Sequence, residues 1–167
     1  MTIAEHPLLL RFRGRPLLVD ANLLLLKWCA SFDETLIGSF KRLNTFTKPD
    51  IELLDQVLAM FAPVATTPHV LTEVSNLAGS LPLWRKAAWA EHFSIAVRTI
   101  EEEWISAVEA ANGSMRWLGL TDSALAILAE KYVVLTIDWP LANALESMGL
   151  NVINFTHVRS LRLESGD

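Results

Sequence analysis

The sequence predicts a three-layer α/β fold with a mostly parallel central sheet. Short apolar runs alternate with longer stretches of helical period. The runs are nearly continuous in apolar residues, as expected of strands covered on both faces. Helix starts and stops punctuate the chain between them. At 167 residues, 51% of them hydrophobic, the chain has the size and apolar content of one domain. It divides into a mixed arm over 1–15, the domain body, and a tail over 156–167.

Pro16 to Asp20 reads as a buried strand, and Asn22 as the cap of a helix running through Cys29. Ser31 to Pro49 is polar and irregular, a loop or a helical clip. Asp50 to Phe61 carries apolar residues at 51, 54, 57, 58 and 61, which is a helical period. Pro63 to Ala65 suits an edge strand. Thr67-Pro68 is a cap followed by proline at the first helical position, so a helix runs to about Ala78. Further helices are expected over Leu83–Phe93 and Thr99–Ala111, the latter with Glu101, Glu102 and Glu103 in its first turn. Asn112-Gly113 breaks the chain. Thr121 to Lys131 is a helix and Tyr132 to Thr136 a strand. Asp138 to Met148 is a helix stopped by Gly149, and Asn151 to Phe155 is the last strand.

A single cysteine, Cys29, excludes an intramolecular disulfide and a zinc–thiolate site. No apolar run reaches the ~18 residues of a spanning helix. The N-terminus lacks the order of a signal peptide. These features lead us to expect a cytoplasmic protein with no membrane partner. Net charge is −5, which at first argues against a nucleic-acid partner. With four acids set aside as a metal site, 15 acidic residues face 14 basic ones, and the objection weakens.

Four acids occupy poor positions for an unpaired charge. Asp20 ends the first strand and Asp138 follows the strand ending near Thr136, both at the carboxyl edge where α/β sheets bind ligands. Glu73 shares a helix face with Val70, Val74 and Leu77. Asp122 leads a helix with Leu125, Ala126 and Ala129 on its face. Singly, each has an ordinary explanation. Asp122 and Asp138 serve as helix caps or dipole partners, Asp20 as a turn acceptor, and Glu73 as partner of Arg85 or Arg98. Together, carboxylates in one pocket repel and need a cation. An all-oxygen site suits Mg²⁺ or Mn²⁺, ions that promote phosphodiester hydrolysis.

The segments Leu17-Leu18-Val19-Asp20-Ala21-Asn22, Thr67-Pro68-His69-Val70-Leu71-Thr72-Glu73, Gly119-Leu120-Thr121-Asp122-Ser123-Ala124 and Leu135-Thr136-Ile137-Asp138 resemble the four acidic motifs of the PIN-domain nucleases, in the family's order. The resemblance spans residues 16 to 155. It implies a PIN-like fold and a metal-dependent endoribonuclease acting on single-stranded or structured RNA, with Asp20, Glu73, Asp122 and Asp138 as catalytic and metal-binding acids. Asn22 and Thr136 match polar positions that support the site. Small standalone bacterial members include the toxins of type II toxin–antitoxin pairs, so a cognate antitoxin and a homodimer are implied as partners. This chain departs from the typical toxin in its extra length at the N-terminus and over Pro82 to Ala111, and in Trp139-Pro140 after the last acid. Two other functions compete: a non-catalytic PIN-like binding module, and a metal-dependent phosphatase. The latter is disfavoured because Asn22 stands where a second aspartate is needed.

Lys27, Lys41, Arg42 and Lys48 are the expected contacts to the RNA backbone, ahead of Arg11, Arg13 and Arg15. His69, one turn before Glu73, reads as a surface residue of the cap region or as lining the site. Trp84, Trp89, Trp104 and Trp117 read as core aromatics or as an interface, where tryptophan is enriched. The mean hydropathy of +0.31 adds support for a dimer.

Overall fold

The computed structural model describes residues 5–112 and 117–165, with side chains as far as Leu163. A short helix α1 (Pro7–Leu10) opens the chain and leads into β1 (Leu17–Val19) and α2 (Ala21–Phe32). Two 3₁₀ turns, Glu34–Leu36 and Lys41–Leu43, precede α3 (Lys48–Leu58). Then follow β2 (Val64–Thr66), α4 (Pro68–Ala78), α5 (Leu83–Val97), β3 (Glu101–Glu102) and α6 (Ala107–Ala111). The chain ends with α7 (Leu120–Leu128), β4 (Val133–Thr136), α8 (Trp139–Ser147), β5 (Val152–Asn154) and α9 (Phe155–Ser165).

Among the described residues the strands form one wholly parallel sheet, in the order β3-β2-β1-β4-β5. The three-layer α/β architecture is as the sequence predicts. β1, β4 and β5 are buried along their whole length, which is why their sequences alternate so little. The core joins Leu17, Leu18 and Val19 of β1 to Val133, Val134 and Leu135 of β4 and to the inner faces of the helices. From β1 the chain steps to β2 and β3 on one side, then returns to place β4 and β5 on the other. The direction of travel therefore reverses between β1 and β4, and the segments leaving those strands diverge. A crevice at such a switch point is the usual ligand site of an open parallel sheet.

Several expectations are corrected. The segment at Pro63 to Ala65 is not an edge: β2 lies between β1 and β3. The helix expected over Thr99–Ala111 is a strand followed by a shorter helix. Ala65 and Thr66 pair with Glu101 and Glu102, and the Glu103 N–H donates to the Thr66 carbonyl at 2.8 Å. Consecutive glutamates suit a charged sheet edge as well as a helix start. α6 begins only where the Ser106 hydroxyl accepts from the Glu109 N–H. Asn22 does not cap α2; Asp20 does, accepting from the Asn22 N–H at 2.7 Å. Residues 156–165 are part of α9 rather than a tail. The arm buries Leu9 and Phe12, with Arg11 over the Phe12 ring at 4.4 Å. Gly113 of the expected Asn112-Gly113 break lies outside the described residues.

Of the four mid-chain tryptophans only Trp89 is buried, packed against Phe32 and Phe93. Trp84, Trp104 and Trp117 are each at least 72% exposed. Among the described residues no helix is long and apolar enough to cross a membrane.

Candidate active site

Two of the four acids stand at the switch point because they begin helices there. Asp20 follows β1 and caps α2; Asp138 follows β4 and caps α8, accepting from the Leu141 N–H at 2.8 Å. An aspartate at such a junction satisfies a free N–H and meets the positive end of the helix. Thr136 couples the two. Its hydroxyl donates to Asp20 Oδ2 and accepts from the Asp138 N–H, the latter at 2.9 Å. Thr136 and Asp20 are both buried, so this link is shielded from water.

Glu73 and Asp122 approach from neighbouring helices. Glu73 sits in the middle of α4, and Asp122 lies in the first turn of α7, which packs against α4. Both are partly buried. The four carboxylates act on one another. Burial pushes the Asp122 carboxyl up to about 7, and the charges of Asp138, Asp20 and Glu73 add to the rise. Burial raises Asp20 as well, opposed by the bonds from Thr136, Asn22 and the Ile137 backbone and reinforced by Glu73. Among the described residues no ion pair joins a lysine or arginine to any of the four. Arg85, weighed as a partner for Glu73, instead holds Asp33.

A mutually repelling, partly desolvated set of carboxylates, with no basic partner among the described residues, is the donor set that hard divalent cations satisfy. The four acids fit such an ion in their chemistry. Among the described residues no three acid, histidine or cysteine side chains are drawn into one coordination shell. The acids interact across the crevice.

Beside them opens a cavity of about 510 Å³, lined by His69, Thr72, Glu73 and Asn76 of α4, by Trp104 and Ile105 before α6, and by Leu120 and Thr121 of α7. His69 thus lines this cavity, and among the described residues its Nδ1 is buried with no hydrogen-bond partner. Trp104 was not singled out as a site residue. Its only signal in the sequence is an isolated tryptophan among acids and small polar residues.

The expected RNA-contacting cations do not gather at the acids. Lys27 pairs with Asp55 and Lys48 with Glu34. Lys41 and Arg42 line a second cavity of about 520 Å³ with Trp84 and Arg85. Arg85 bonds to Asp33 at the end of α2. At 1.5 Å of rise per residue, that places Asp33 about 20 Å from Asp20 along the helix axis. Asn22 contributes its backbone N–H to Asp20.

No family model matches this chain, and no curated protein is significantly similar to it.

Proposed function

We propose that the protein is a Mg²⁺- or Mn²⁺-dependent endoribonuclease of the PIN type. The observation that carries this reading is the set of Asp20 and Asp138 at the switch point with Glu73 and Asp122 approaching from α4 and α7, whose charges raise one another's carboxyls and which, among the described residues, form no ion pair with a lysine or arginine. These four residues would hold the metal, which when bound polarises the phosphodiester and lowers the pKa of water. Thr136 fixes the Asp20 carboxylate and ties it to the backbone of Asp138, so the two acids keep their spacing. The N-termini of α2, α7 and α8 bring partial positive charge to where the carboxylates and the phosphate meet. On this reading the chain cuts single-stranded or structured RNA.

The test is cleavage of an end-labelled structured RNA in Mn²⁺, in EDTA, and by variants. Because Asp20 also caps α2, alanine there would remove a cap and cost about 1 kcal/mol of stability. Asp20→Asn keeps the cap and removes the charge. Cleavage is expected in Mn²⁺ only, and Asp20→Asn is expected to lower it by more than about a hundredfold. Thr136→Val, which removes only an outer partner, is expected to lower it by about 10–100-fold. Wild-type rates from a folded Asp20→Asn protein would overturn the proposal.

A further inference from the structure

The cavity beside the acids has a composition that the four carboxylates do not explain. Its volume of about 510 Å³ lies within the range of small-molecule sites. Glu73 and Thr121 belong to its wall, so it is continuous with the acid site. Much of the remaining lining is apolar, from Ile105 and Leu120. Trp104 borders it and is 72% exposed, although neighbouring Ile105 is buried. The linker between β3 and α6 therefore buries the smaller side chain and presents the indole at the cavity. Among the described residues Nδ1 of His69 is buried without a partner, a costly state for a ring nitrogen. It becomes a donor or an acceptor according to the tautomer of the ring.

A flat aromatic face, apolar walls and a few polar side chains match a planar heterocycle with polar edges. We propose that this cavity seats one unpaired nucleobase of an RNA strand, stacked on Trp104 with its edge toward the polar side chains of His69, Thr72 and Asn76, next to the phosphate handled by the acids. The proposal rests on the nuclease reading and adds to it a seat for one base beside the reacting phosphate. A base within a duplex has both faces stacked and its pairing edge occupied, so it cannot enter. An apolar peptide side chain would fill the walls but would leave the polar groups of Thr72, Asn76 and Thr121 unmet.

The experiment uses the full chain carrying Asp20→Asn, in Mn²⁺, so that binding is measured with cleavage suppressed. Fluorescence anisotropy compares a short labelled single-stranded RNA, the same strand made abasic, and the duplex. The base-bearing strand is expected to bind about tenfold more tightly than the abasic one, the scale of one base stacked on an aromatic side chain. Trp104→Ala should erase that difference and Trp104→Phe should keep most of it. Circular dichroism confirms that both variants are folded. Equal binding of base-bearing and abasic strands, preference for the duplex, or no effect of Trp104→Ala would each overturn the base seat. The nuclease reading is judged separately, by metal-dependent cleavage with the wild-type chain. Cleavage without base-dependent binding rejects only the seat. Base-dependent binding without cleavage rejects only the nuclease.

Discussion

Asp122 reports the charge balance of the candidate site. Its ordinary value of 3.8 rises to about 7 through burial, reinforced by Asp138, Asp20 and Glu73. Between those two values the folded protein keeps a proton that the unfolded chain has released. The folded state then binds more protons, so stability falls as pH rises through the window and levels off above it. Asp20, raised in the same direction, adds to the decline. Thermal melts of metal-free protein are expected to show a lower Tm at about pH 8 than at about pH 5. Asp122→Asn should reduce that difference and melt higher than wild type at the upper pH. Mn²⁺ should raise the wild-type Tm by mass action and raise that of the variant less. A Tm independent of pH and metal in wild type would mean that the carboxylates do not interact as described. Asp20 and Asp138 were legible in the sequence because each closes an apolar run, and a strand end is a position the chain itself displays. Trp104 was not legible as a cavity wall, because its exposure depends on β3 pairing with β2, a contact between residues far apart in sequence.

At the scale of elements, the C-terminal helix is tied to the domain by one buried acid. Asp50 caps α3 by accepting from the Thr47 N–H at 2.9 Å. Its Oδ1 also accepts from Arg159 Nε at 3.0 Å, and Arg162 Nη2 lies 3.1 Å from the same oxygen. Its side chain is 1% exposed, while the two guanidinium groups are partly open to solvent. Asp50→Ala is expected to destabilise the protein by about 3–5 kcal/mol, the cost of stranding one side of a buried ion pair. The lower end of that range is favoured by the partial exposure of the arginines. Urea unfolding followed by circular dichroism measures it, and a midpoint unchanged from wild type would show that α9 is held by its apolar contacts alone. The sequence presented Asp50 as a helix-opening residue and hid its second role, since Arg159 stands 109 positions away. The same distance explains why residues 156–167 read as a tail. α4, in contrast, was legible to the residue, because Thr67 and Pro68 fix its start by local chemistry and Gly79 follows its last turn.

For the molecule as a whole, the alternation of strands and helices was enough to give the layers and the parallel sheet. The strand order was not readable, since each crossover leaves two sides of the sheet open to the next strand. The exposed apolar residues bear on the expected homodimer. α5 buries Trp89 and Ala96 but leaves Leu83, Trp84 and Ile95 more than half exposed. Exposed tryptophan and aliphatic side chains of this kind suit an interface between copies. Light scattering is expected to give a mass twice 18.6 kDa, and Trp84→Glu to halve it; a wild-type mass of 18.6 kDa would remove the dimer. The way two copies could not join is set at the other extreme of size, by β3. One border of the sheet consists of Glu101 and Glu102, both exposed, on a strand only two residues long. An incoming strand would find two hydrogen-bonding positions and a pair of like charges there. Sheet-to-sheet growth, the route from a parallel α/β domain to a fibre, is therefore closed on that side while those carboxylates carry charge.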